Sequence, residues 1–202
     1  LYVKALVLKQ GGEQAVIVTV DAVAIGGIGY IKDDYLGKVR SAIQETLGIP
    51  GTRILVNASH CHGVVRGDID MLTIDAIKAA ASELVPVRIG VGHGHEDRVG
   101  ENRRLLMKDD REIDVRHAYS MPPDKDVVGV GPIDPEIGVL RLDRMSGTPL
   151  AVIYNFACHP IQGVPSGANT ADITGLASTV IEDNLGGGAM ALFLQGCGGD
   201  IN

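Results

Sequence analysis

The sequence predicts an α/β fold of mixed sheets, built from two repeated hairpin-helix-strand units with flanking helices. Three observations predict it. Apolar runs of strand length alternate with stretches whose apolar residues recur at helical spacing. The order of elements that opens the chain at Lys4 returns from Gly138 onward. Polar motifs stand just past the ends of four apolar runs, where open α/β sheets bind their ligands.

Residues 2–8 read as a strand, Gly11-Gly12 as a tight turn, and 15–20 as the returning strand, which ends at Asp21. Leu36, Val39, Ile43 and Leu47 line one helical face, and Gly48 stops that helix. Residues 54–56 form the next strand, leading to His60 and His62. A helix over 72–84 ends before Pro86, and 87–91 form a further strand. Residues 92–135 are more polar, carry Pro122-Pro123, and read as loops or a small hairpin over the site. The second unit has a strand at 138–142, a turn at Ser146-Gly147 and a strand at 150–156 that leads to Cys158-His159. Its helix rests on Leu176, Val180, Ile181 and Leu185 and stops at Gly186, and a strand at 190–194 runs into Gly196-Cys197-Gly198-Gly199-Asp200. Each helical crossover is expected to join parallel neighbours with a right-handed connection. The expectation is one α/β domain over 1–202, with repeat halves at about 1–63 and 138–202 and an insertion at 64–137. Leu1 opens directly into a strand and Asn202 stops inside a Gly-Asp motif, so the chain is expected to be a fragment of a longer catalytic domain.

Composition narrows the function. The chain has 202 residues, 45% of them hydrophobic, enough for one sizeable core. Aromatics make up 3%, so Ile, Val, Leu and Ala must fill the interior. The net charge is −7 and no basic stripe occurs, which argues against nucleic acid as a partner. No apolar run reaches the roughly 18–20 residues of a membrane span. Cys61, Cys158 and Cys197 make no disulfide framework and read as small residues buried beside a cleft.

The strand exits carry the candidate chemistry. His60-Cys61-His62, on an extended segment, would place two imidazoles on one face, and neutral imidazole is a good zinc ligand. Either both bind metal, or one does while the other serves as base or hydrogen-bond partner. His159 precedes Pro160, which fixes the chain after it. If the two exits lie side by side, three imidazoles meet in one site, as in a zinc-dependent hydrolase. Gly198 and Gly199 let backbone approach a ligand and offer amides to an oxyanion, and Asp200 could orient a histidine or bind metal. In Asn102-Arg103-Arg104, a guanidinium could clamp a carbonyl or carboxylate. Gly92-His93-Gly94-His95 resembles a metal motif of metallophosphoesterases, but also reads as a mobile surface loop.

Several of these motifs together resemble the neutral/alkaline, non-lysosomal ceramidases. Ala58-Ser59-His60-Cys61-His62-Gly63 is similar to that family's A-T-H-T-H-S-G, and Asn155-Phe156-Ala157-Cys158-His159-Pro160 to its N-F-A-x-H-P. Asn102-Arg103 matches its N-R segment, Ala171-Asp172-Ile173-Thr174-Gly175 its D-x-x-G helix start, and Gly199-Asp200-Ile201-Asn202 the start of its G-D-V-S-P-N, all in the same order. The resemblance implies a zinc amidase that cleaves the N-acyl bond of ceramide. It implies His60 and His159 as zinc ligands, His62 in a catalytic or supporting role, and Arg103 at the substrate's polar head. It also implies a secreted or periplasmic setting, a small-molecule or lipid amide as partner, and further zinc ligands, a Glu and a Tyr, beyond residue 202. Two departures stand out: Gly63-Val64-Val65 follows His62, and Asn202 replaces the family serine. Without that serine, direct attack by activated water is the simpler route, with His62 accepting a proton and Arg103 or the Gly198-Gly199 amides holding the oxyanion.

Two other readings carry distinct residue sets. A metallophosphoesterase-like site would use Asp21, His93, His95, His159 and Asp200. A binding module with a degenerate metal site would use none of them catalytically.

Overall fold

The chain begins with a hairpin whose alternation gives each strand two apolar faces. β1 (Val3–Gln10) and β2 (Glu13–Val20) pair antiparallel in full register, Val3 opposite Val20 and Gln10 opposite Glu13. This is a computed structural model describing residues 1–115, 120–161 and 169–202. α1 (Tyr35–Leu47) buries Tyr35, Val39 and Ile43 and ends at Gly48, whose φ of 69° and N–H bond to the Gln44 carbonyl form a left-handed cap. β3 (Ile54–Ala58) returns parallel to β2, with Ala58 opposite Val20, so the two strands end level. α2 (Ile69–Ser82) follows, and Tyr35 Oη and Thr73 Oγ1 share a hydrogen bond of 2.8 Å between the helices.

β4 (Val87–His95) runs four residues past the expected strand. It pairs antiparallel with β8 (Glu136–Arg144), below, and forms the edge of that sheet. The stretch expected to be loops or a hairpin instead holds β5 (Arg104–Met107), β6 (Glu112–Asp114) and β7 (Val127–Val130), in the antiparallel order β6-β5-β7. Leu105, Met107 and Val115 give it a small core. Strands of three or four residues are too short to reveal a period; residues 116–119 of this stretch lie outside the described ones.

The second unit matches the first. β8 (Glu136–Arg144) and β9 (Pro149–Phe156) are antiparallel, α3 (Asp172–Leu185) crosses over, and β10 (Met190–Gln195) runs parallel to β9 with Gln195 opposite Phe156. The sheet orders are β1-β2-β3 and β10-β9-β8-β4. One correction concerns α3. Leu176 and Val180, expected on its buried stripe, are 69% and 60% exposed. The inward face is Thr174, Ala177, Ser178, Ile181 and Leu185, because the Tyr154 hydroxyl needs polar partners there: it donates to the Thr174 carbonyl at 2.7 Å and meets Ser178 Oγ at 2.9 Å.

The two sheets stack face to face rather than edge to edge. Val7, Val16, Val18 and Val20 face α1 and α2, while Leu6, Leu8 and Ile17 meet Leu140, Leu142, Ala151, Ile153 and Leu192 of the other sheet. The far face, with Val152, Tyr154, Ala191 and Phe193, packs under α3. The order is therefore helix, sheet, sheet, helix. Polar contacts tie β10 to the first sheet: Thr19 Oγ1 and Asn57 Nδ2 both donate to the Phe193 carbonyl, at 2.6 and 3.1 Å, and the Gln195 amide donates to Asn57 Oδ1 at 3.1 Å. No helix among the described residues is long and apolar enough to cross a membrane.

Candidate metal centre

The stacking brings the β3 and β9 exits together. Ring centroids of His60 and His159 lie 4.5 Å apart, those of His60 and His62 5.3 Å, and those of His62 and His159 5.2 Å. One ligand atom from each of the three falls within 4.8 Å of the others, so the group can hold a metal ion. His62 Nε2 and His159 Nε2 are 3.1 Å apart. His60 Nδ1 lies 2.7 Å from the Val23 carbonyl, which can only accept; Nδ1 therefore carries a proton, and the neutral tautomer this selects has a bare Nε2. His159 is 9% exposed, and its backbone N–H donates to the Ile201 carbonyl at 3.0 Å.

The H-x-H motif converges for a different reason from the one expected. His60 has φ of +60°, in the left-handed region, so the segment is not extended. A non-glycine residue there costs of order 1–3 kcal/mol, and such strain collects at functional sites. The turn, not strand alternation, brings His60 and His62 together.

The environment favours the neutral form of His62 and His159. Burial lowers the pKa of His62, repulsion from His60 adds to this, and Asp172 opposes it. His159 is lowered first by burial, then by His60, His62 and the Arg103 guanidinium, against a small opposing contribution from the Gly198 backbone. Neutral imidazoles are the form that binds metal. Cys61 and Cys158 are almost wholly buried beside the histidines, and burial pushes both thiols up, which makes them inert packing residues; Cys197, expected to be buried with them, is exposed.

The other expected site residues are largely occupied with structure. Arg103 Nε pairs with Asp114 at 2.9 Å, while its charge reaches His159. Asn102 is 4% exposed: Nδ2 donates to the Pro132 carbonyl at 2.7 Å and Oδ1 accepts the Arg104 N–H at 2.8 Å, which spends both ends of the amide. Asp200 pairs with Arg104 at 2.8 Å, and that guanidinium holds its carboxyl below the usual range. The Gly198 N–H donates to the Gly196 carbonyl, so it is not free for an oxyanion. Gly198 is required for another reason: a Cβ there would meet the Cys158 carbonyl at 2.7 Å, just as one at Gly196 would meet Phe156 and Ala157 at 2.9 Å. The glycines let the β9 and β10 exits touch. A Cβ on Gly199 would meet nothing within 4 Å.

His93 and His95 sit on the exposed edge strand β4, opposite Gly138 and Glu136, rather than on a loop. Neither belongs to the converging histidine group, and nor do Asp21 and Asp200, so the five-residue alternative is not assembled. Asp21 instead accepts from Ser59 Oγ at 3.1 Å and from the Tyr2 amide at 2.8 Å. Sequence reasoning missed Ser59, the Val23 carbonyl and Gln195, whose Nε2 donates to the Cys158 carbonyl at 2.8 Å. Backbone acceptors leave no mark in a sequence; a small polar residue directly before His60 was the available signal.

No family model and no curated relative matches the sequence. Solved structures do. A "ceramidase complexed with C2" has a TM-score of 0.77 at 21% identity, over 98% of this chain and 32% of that one. A neutral ceramidase from Pseudomonas aeruginosa has a TM-score of 0.70 at 21% identity, over 95% of this chain and 31% of that one. The fold is therefore ceramidase-like, and the chain spans about a third of the length of the ceramidases it matches.

Proposed function

We propose that this chain carries the histidine half of the active site of a zinc-dependent amide hydrolase acting on an N-acyl sphingosine or a related N-acyl or ester substrate. The observation that carries the reading is the convergence of His60, His62 and His159 from two strand exits 97 or more positions apart. The donor set fits zinc: three converging imidazoles, one with its Nδ1–H fixed on a carbonyl and its Nε2 turned to the group, and two with Nε2 atoms facing each other. His60 and His159 would hold the ion, with further ligands from outside this chain. The likeness to ceramidases supports the amide substrate class.

Zinc bound there supplies Lewis-acid polarisation of a scissile carbonyl and acidification of water. His62, the exposed member of the trio, accepts a proton at a ring nitrogen that its surroundings keep unprotonated. Arg103, ion-paired with Asp114, offers its terminal N–H groups to the substrate oxygen and disfavours protonation of His159. Asp200 fixes Arg104 beside that segment and takes no proton. With Asn202 in the place of the family serine, activated water rather than a side-chain nucleophile attacks.

The test is metal analysis of the protein together with turnover of a panel of N-acyl and ester substrates. One zinc per chain and turnover lost in His62→Ala are expected. Full zinc retention in both His60→Ala and His159→Ala overturns the reading.

A further inference from the structure

We infer that Asp21 is a positioning residue for the metal centre: through Ser59 it holds His60 in its left-handed turn and fixes the ring nitrogen that His60 presents. This rests on the reading of His60 as a metal ligand. Asp21 is a carboxylate only 9% exposed at the β2 exit, beside a Ser59 that is 1% exposed. Its two oxygens are divided between two neighbouring segments. Oδ2 accepts the Tyr2 amide at 2.8 Å, at the start of β1, and Oδ1 accepts Ser59 Oγ at 3.1 Å, at the exit of β3. The Tyr2 carbonyl in turn accepts the Asp21 N–H at 2.9 Å, and Ser59 N–H donates to the Val20 carbonyl at 2.9 Å.

Two residues beyond Asp21, the Val23 carbonyl takes the His60 Nδ1 proton at 2.7 Å. Segments 21–23 and 59–60 are thus cross-linked twice, once through Asp21 and Ser59 and once through Val23 and His60. The first link fixes the residue before the strained turn. The second sets the ring's tautomer. A left-handed histidine persists only where its surroundings over-determine it, and here the surroundings are this pair of links. Outer hydrogen-bond partners of this kind typically support metal affinity by about 10- to 100-fold.

The role is geometric, so an amide can fill it. In Asp21→Asn, Oδ1 can accept the Tyr2 N–H while Nδ2 donates to the Ser59 oxygen. In Asp21→Ala neither bond survives, and Ser59→Ala removes only the link towards His60. The experiment compares these three variants with the parent by zinc competition against a chromophoric chelator and by the 15N spectrum of the metal-free imidazoles. Zinc affinity about 10- to 100-fold weaker in Asp21→Ala is expected, with a smaller loss in Ser59→Ala and near-parent affinity in Asp21→Asn. The metal-free spectrum should show His60 protonated on Nδ1 in the parent and in Asp21→Asn, and a tautomer mixture in Asp21→Ala. A folded Asp21→Ala with parental affinity and an unchanged His60 tautomer overturns the inference. If that variant does not fold, unchanged affinity and tautomer in Ser59→Ala overturn it equally. If the parent binds no zinc, the proposed function fails, and the tautomer comparison alone decides the role of Asp21.

Discussion

His62 and His159 meet with their Nε2 atoms 3.1 Å apart, although 97 positions separate them in the chain. Two ring nitrogens this close need a proton on one of them or a cation between them. A neutral pair meets this need when one ring carries its proton on Nε2 and donates it to the bare Nε2 of the other, while burial and the neighbouring His60 disfavour any further proton.

Removing either principal ligand should abolish tight binding. His60→Ala and His159→Ala are each expected to weaken zinc by more than about 100-fold, beyond the loss expected for an outer partner. The double change His93→Ala with His95→Ala should leave affinity unchanged, since those rings lie on the exposed edge strand. Chelator competition on the four proteins gives the comparison.

Acid should empty the site and loosen the metal-free fold together. The folded-state pKa values of His62 and His159 lie below their ordinary value of 6.5. As pH falls through that value, the unfolded chain takes up protons before the folded one does, so stability declines from there downward. Protons also compete for the ligand nitrogens. Denaturant midpoints of the metal-free protein should fall below about pH 6.5, and zinc affinity should fall over the same range; a flat profile in both measurements contradicts the assignment.

Gly198→Ala should be costly. Its Cβ would sit 2.7 Å from the Cys158 carbonyl and 2.8 Å from Gln195 Nε2. Overpacking of this kind costs about 1–3 kcal/mol, read as a lower denaturation midpoint. Gly199→Ala, with open space at its Cβ, should stay within about 0.5 kcal/mol of the parent.

Alkali should act through Tyr154. Burial beneath α3 pushes this phenol from 10.0 up to about 12. Above pH 10 the unfolded chain loses the proton while the folded one keeps it, so folding weakens as pH rises towards 12. The difference amounts to about 2–3 kcal/mol at one pKa unit per 1.36 kcal/mol. Tyr154→Phe should show a shallower decline between those limits, even though it loses the bonds to Thr174 and Ser178.

Much of this was legible in the sequence because the repeat is written in local patterns. Strands β1, β2, β3, β8, β9 and β10 each carry a period-two or continuous apolar run, and Gly48 marks its helix end. The level ends of the parallel strands then follow from topology, and the face-to-face stacking of the two sheets brings His60 towards His159. Other features depend on partners distant in the chain. Glycines at 196 and 198 serve backbone approach equally well whether the neighbour is a ligand or another strand, and here it is a strand. Gly90, Gly92 and Gly94 hide the alternation of β4, so His93 and His95 looked like a loop. Asn102, Arg103 and Asp200 carry the right chemistry, but each has a structural partner that spacing does not disclose.

The apolar seam between the sheets has a consequence for assembly. Leu6 and Ile17 come from one repeat, and Leu142, Ile153 and Leu192 from the other, so either repeat alone would leave an oily surface open to water. Fusion of the halves and gathering of the imidazoles are therefore one event. Metal uptake during refolding should lag behind backbone ordering and report the moment at which the two repeats have joined.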